Sequence, residues 1–221
     1  MPFTTLDLSK QSGTLGVANG GTGLTSGTSG QFLKFTGSTT VGSAAVSSDY
    51  VLIQSQSTTS AASLSFTTSF DGTYDTHVFV VNNLEGASDG EDLYCRVLTG
   101  SGGSTENTGG YVYALQGFSA NGAARTAEST STSKIVLLPD VDNYATYKSG
   151  LTLWLGKPDE AVLKRMWWLG GVERDSDGSN TTWNGSACWT DGTGAITGMK
   201  FYMASGNFGS VTINHYGMKG S

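Results

Sequence analysis

The chain has 221 residues, 12 lysines and arginines against 18 aspartates and glutamates, a formal net charge of -6 and only 14% charged residues. That balance excludes a binder of phosphate backbones, and no apolar run approaches the roughly 20 residues that carry a helix across a bilayer. With 32 glycines, roughly twice the usual share, and few strong helix formers, the composition predicts an all-β protein.

In chain order, residues 1–45 stand apart. The first seven, Met1 to Asp7, lack the basic and apolar regions of a secretory leader, so assembly inside the producing cell is expected. From Ser12 to Gly30 nearly every residue is small or a turn former, too poor in apolar surface to offset its own backbone entropy. Such a segment reads as a spacer or as an extended assembly arm. In an arm, glycine permits close backbone approach near a symmetry axis. Leu15, Val17, Leu24, Phe32, Leu33 and Phe35 could then pack against neighbouring chains, with Asn19, Gly20 and Gly21 part of the same assembly arm.

A second region, residues 46–221, carries the folded domain. Strands are expected at Tyr50–Ile53, Ser63–Phe66 and Thr76–Val81, with an Asp71-Gly72 turn before the third and Asn82–Gly86 ending it. Asp92–Leu98 alternates, with Leu93, Cys95 and Val97 on one face. Further strands are expected at Gly110–Leu115, Lys134–Leu138, Gly150–Leu155, Leu163–Leu169, Ile196–Tyr202 and Gly209–Tyr216. Eight to ten short strands without helical periodicity predict an antiparallel β-sandwich of the jelly-roll type. Cys95 and Cys188 are too few for a disulfide framework and are expected as free thiols.

The phrase Gly16-Val17-Ala18-Asn19-Gly20-Gly21-Thr22-Gly23, followed by Gly30-Gln31-Phe32-Leu33-Lys34-Phe35, resembles a recurrent segment of bacteriophage tail-fibre and other virion proteins. The similarity covers about residues 12 to 37. The remainder is similar to a family of phage virion β-sandwiches at Phe66–Phe79, at Leu93–Val97 and at Ser205-Gly206-Asn207 with the terminal Tyr216-Gly217. The resemblance implies a structural protein of a tailed phage particle, commonly a homotrimer, located in the virion and joined to other virion proteins through its N-terminal arm. It does not imply which appendage. A tail fibre or tail-tip adhesin contacting host polysaccharide, a capsid decoration or head-fibre protein, and a polysaccharide depolymerase stay open.

Chemistry-bearing patterns are sparse. His77 and His215, the two histidines, each lie in strand-like runs with no acid or nucleophile motif beside them, so both are expected to be structural. Asp175-Ser176-Asp177-Gly178-Ser179-Asn180 resembles the opening of a calcium loop, but the closing bidentate glutamate is missing, and a solvated hairpin loop is expected instead. Asp159, Glu160, Glu173 and Asp175 bracket an aromatic strand without a spacing that fixes a catalytic pair. No enzyme activity and no cofactor are expected. Tryptophans crowd the second half. Adjacent Trp167 and Trp168 must point to opposite faces of one strand. Trp183 and Trp189 sit among Asn180, Thr181, Thr182, Asn184 and Asp191, a composition expected of a sugar-stacking loop. Receptor contact is therefore expected at Trp183, with Trp189, Tyr144, Tyr147 and Asn184 as its companions; a subunit interface or a packing contact that anchors the loop is the competing use of these rings.

Overall fold

The computed structural model describes residues 31–35, 41–44, 49–173 and 180–219. The chain divides into two units, residues 1–48 and 49–221. In the first, β1 (Phe32–Phe35) pairs antiparallel with β2 (Val41–Ala44), Phe32 opposite Ala44 and Phe35 opposite Val41. Phe32, Leu33 and Phe35 are all strongly exposed. Leu15, Val17, Asn19, Gly20, Gly21 and Leu24 lie outside the described residues, as do Asp175 and Asp177.

The second unit is built of antiparallel strands. The first six are β3 (Val51–Thr58), β4 (Ser63–Phe66), β5 (Thr76–Gly86), β6 (Glu91–Thr99), β7 (Thr105–Glu106) and β8 (Tyr111–Ser119). Then come β9 (Ala124–Thr132), β10 (Ile135–Val141), β11 (Ser149–Gly156) and β12 (Lys164–Glu173). The chain ends with β13 (Asn180–Trp189), β14 (Gly198–Met203) and β15 (Phe208–Met218). Among the described residues there is no α-helix. The protein is an all-β sandwich of antiparallel sheets, as its composition requires.

The large sheet runs β3-β15-β5-β11-β12-β13-β8-β9, and the small sheet runs β10-β6-β14-β4 with the short β7 also on β6. Apart from β7 and the hairpins β8–β9 and β12–β13, the remaining eight strands alternate between the two sheets in chain order, except that β6 and β10 follow one another as neighbours in the small sheet. The two hairpins meet edge to edge, β13 beside β8, and extend the large sheet by four strands.

The core fills the space between the sheets. Phe66 of β4 meets Phe79 of β5 edge-on at 5.6 Å, and Phe201 of β14 closes the triangle at 5.9 and 5.2 Å. The run Ile135–Leu138 in β10 is buried at every position, because its strand packs against β6 on one side and beneath β12, β13 and β8 on the other. Such a strand shows no alternation in sequence. Strand β5 does not stop at Val81: it continues to Gly86, with Leu84 buried and Asn83 taking a left-handed φ of 53° where the register shifts. Cys95 is buried and Cys188 half-buried, and both are free.

Candidate functional site: the outer face of the large sheet

The placement of the tryptophans corrects the expectation for residues 180–191. Asn180–Trp189 is a strand, not a loop, paired along its whole length with β12 and with β8. Thr181, Trp183, Ala187 and Trp189 face inward, with Trp183 only 3% exposed and Trp189 4%. The outward set, Asn180, Thr182, Asn184 and Ser186, is polar, and it lends the stretch its loop-like composition. Bulky rings fit the inner face because glycines lie opposite them. A Cβ on Gly185 would stand 2.3 Å from Trp168, and one on Gly117 would stand 2.7 Å from Trp183.

Trp183 and Trp189 therefore present no ring to a ligand. Asn184 lies on the opposite, outer face of the same strand. Tyr144 and Tyr147 form a third group, in the connection between β10 and β11, edge to face at 6.3 Å. The Asp142 carboxylate accepts the backbone N–H groups of Asn143 and Tyr144 at 2.6 and 3.2 Å and fixes that turn. The five residues expected at one receptor site occupy three separate places.

The ring that does face solvent is Trp167, 45% exposed, while its neighbour Trp168 is buried. Strand alternation puts Arg165 and Leu169 on the same outer face. The indole of Trp154 on β11, directly across the strand pair, lies parallel to Trp167 within 4° at 6.3 Å. From Trp167 the row continues by register through Trp154, Val78 and Tyr216 in one direction. In the other it continues through Ser186, Ala114 and Glu128. One half of this row is aromatic and aliphatic; the other is small and polar. Trp167 stands at the boundary.

Beside it lies an open trough of about 760 Å³ over β12, β13, β8 and β9, floored by Ser186, Cys188, Val112 and Ala114. Trp167 and Arg165 form one bank and Glu128 and Thr130 the other. A second hollow, lined by Gln116, Thr126 and Asn184 and again by Trp167 and Glu128, continues it along the strands. On the far side of Trp167 a smaller apolar hollow is walled by Gly156, Val162 and Leu163.

Comparison with protein-family models, with curated proteins and with solved structures finds no match.

Several ionisable groups elsewhere are engaged in packing or pairing. His77 and His215 are fully buried, their Nδ1 and Nε2 atoms 2.7 Å apart in one N–H···N bond. Phe70 stacks on His77 at 4.4 Å and Phe79 on His215 at 4.5 Å. Burial holds both imidazoles below the ordinary histidine range; the Asp159 and Asp71 carboxylates oppose the shift at His77, and His77 adds to it at His215. Sealed under phenylalanines, the pair has no path to a substrate. Arg96 and Lys200 share the Glu106 carboxylate at 2.5 and 2.6 Å, Arg125 pairs with Asp140 at 3.3 Å, and Lys148 and Lys157 pair with Glu85 and Glu160. Among the described residues no cluster of three or more His, Cys, Asp or Glu is arranged to hold a metal ion.

Sequence reasoning missed Arg165 and Glu128 altogether. The signal for Arg165 was present: it shares parity with Trp167, so whichever face took that ring took the guanidinium as well. Glu128 could not be found, because β9 is an edge strand of Ala, Thr and Ser with little apolar alternation to reveal it.

Proposed function

We propose that this chain is a structural protein of a tailed bacteriophage particle: a tail fibre or tail-tip adhesin, anchored by its N-terminal arm, assembled as a homotrimer and contacting host surface glycan. The observation that carries this reading is the Gly16–Gly23 phrase with the strand that follows it, because the phrase is long and suits assembly rather than an isolated fold. The sandwich adds support. The strand orders β3-β15-β5-β11 and β10-β6-β14-β4 support reading the sandwich as a jelly roll, with the two hairpins as insertions. Jelly rolls recur in virus shells and in lectins. An exposed indole beside an open trough with an apolar floor and charged banks suits surface recognition, and the role proposed is binding without catalysis.

Two measurements test this. Sedimentation equilibrium of the full chain is expected to give a mass of three chains; a monomer at all concentrations counts against trimeric assembly. Cryo-electron microscopy of purified particles is expected to place the chain at the tail. Density on the capsid surface instead would replace the adhesin by a decoration or head-fibre protein, with the arm clamping the shell.

A further inference from the structure

The trough along β13 and β8 is distinguished by what its polar groups leave undone. Of the three arginines among the described residues, Arg96 and Arg125 are both ion-paired. Arg165 makes no hydrogen bond or ion pair with a described residue, and neither does Glu128 or the Ser186 hydroxyl. An unpaired cation, an unpaired carboxylate and a free hydroxyl therefore flank one exposed indole.

We propose that this trough binds a neutral saccharide chain, one pyranose ring stacking on Trp167 while Arg165, Glu128 and Ser186 hydrogen-bond its hydroxyls. The proposal rests on the adhesin reading for the source of the glycan; the geometry of the trough stands apart from it. A sugar ring presents an apolar C–H face and a rim of hydroxyls that both donate and accept. The trough offers the matching set: an aromatic face, a fork of N–H donors, a carboxylate acceptor and a hydroxyl that does both. The Trp167 ring has the parallel Trp154 ring beside it and extends toward Gly156, leaving its other face to the trough.

The floor decides the shape of the occupant. Small side chains at Ser186 and Ala114 let a chain lie between the Trp167 and Glu128 banks. From Cys188 to Asn184 the trough follows β13 for about 13 Å, at the usual rise per strand residue. Asn184 lies at its far end, so one residue of the expected receptor set does reach it. Charge decides the class. One cation against one anion leaves the trough neutral, with no net positive charge to draw in an acidic polysaccharide. A nucleic acid strand would need several cations along its backbone, and the trough offers one.

The test uses the full chain with maltohexaose, chitohexaose, laminarihexaose and a galactomannan oligosaccharide, with hyaluronan as the acidic comparison, followed by calorimetry and indole fluorescence. Saturable binding to a neutral member is expected, weakened at least about tenfold by Trp167→Ala and by Glu128→Gln, with the unfolding temperature shifted by no more than about two degrees. No saturable binding to any of the four, or equal affinity in the Trp167→Ala chain, overturns the proposal. It is equally overturned if Trp167 in the wild-type oligomer is inaccessible to acrylamide and Trp167→Ala dissociates that oligomer, because the face is then a contact between copies. Adsorption to susceptible bacteria separates the two readings. Wild-type and Trp167→Ala chains adsorbing equally would remove the trough and leave the adhesin. Trp167-dependent sugar binding without any adsorption would leave the trough and remove the adhesin.

Discussion

The inner and outer faces of β12 and β13 use the same residue type for opposite ends. Inward, Trp168, Trp183 and Trp189 are almost fully buried and fill the space above glycines and beneath β10. Outward, Trp167 stands in solvent beside serine, asparagine and arginine. The inner rings carry a cost that the outer one does not: the indole N–H groups of Trp168 and Trp189 are buried without a hydrogen-bond partner. Area removed from water outweighs that cost, since a buried tryptophan removes about 150–250 Å² at roughly 25 cal/mol per Å². A tryptophan therefore signals nothing by its identity; the parity of its position decides whether it packs or recognises.

The largest effect that could break this contrast comes from Trp183→Ala. Removal of a buried indole leaves a cavity and should destabilise by about 3–5 kcal/mol, lowering the unfolding temperature by on the order of 10 °C. Circular dichroism melts check it. An unchanged melt would mean that Trp183 is exposed after all and would return the receptor site to β13's inner face.

The histidine pair sharpens the contrast along a second pair of strands. His77 and His215 face inward on β5 and β15, where burial holds both neutral. The unfolded chain takes up protons as pH falls through 6.5, while the folded chain does not until far lower. Stability from this source is complete above the ordinary histidine range and lost below it. Each pH unit below 6.5 removes up to about 2.7 kcal/mol for the two groups together. Urea midpoints at pH 7.5, 6 and 5 should fall steeply for the wild type and less steeply for the His77→Gln, His215→Gln double variant. Parallel slopes would mean that the imidazoles titrate normally and are wet.

How legible these faces were in the sequence differs strand by strand. Runs with β-branched or aromatic alternation, such as Thr76–Val81 and Gly150–Leu155, announced themselves, and the all-β sandwich followed from them. Trp167 and Trp168 were legible as one inward and one outward ring because adjacency alone forces it. Asn180–Trp189 was not. Its outward positions are Asn, Thr and Ser and its inward ones include glycine, so polarity outweighed the period-2 signal that Thr181, Trp183, Gly185, Ala187 and Trp189 carry. The glycine there reads as a turn former, whereas Gly185 is a strand residue kept small by the ring across from it. No local pattern could reveal that. The partner ring sits on another strand, and its position depends on the register of the whole sheet.

Gly185→Ala tests that dependence and should have an intermediate effect. A methyl group 2.3 Å from Trp168 cannot be accommodated without moving the indole, so about 1–3 kcal/mol of stability should be lost, with a change in near-ultraviolet circular dichroism from the displaced ring. The same substitution in exposed strand should cost far less. A neutral Gly185→Ala would show that Trp168 has room to move and that the inner face is loosely packed.

The smallest expected effect is the most informative about the outer face. Trp167→Ala removes an indole that is 45% exposed and whose packing partners are Trp154 and the surface above Gly156. Substitutions at such surface positions usually stay within about 0.5 kcal/mol, so the melt should shift by a degree or two at most. Acrylamide quenching should fall markedly in the same variant, since the most accessible of the indoles on these two strands is gone. A melt that drops as far as that of Trp183→Ala would mean that Trp167 is covered in solution, and that Leu169 and Phe118, exposed on the same face, are covered with it. A face that exposes three large apolar side chains is more readily explained when it has a partner. A large effect from this surface position would therefore identify the outer face as a contact between chains, and a small one would leave its tryptophan free to bind.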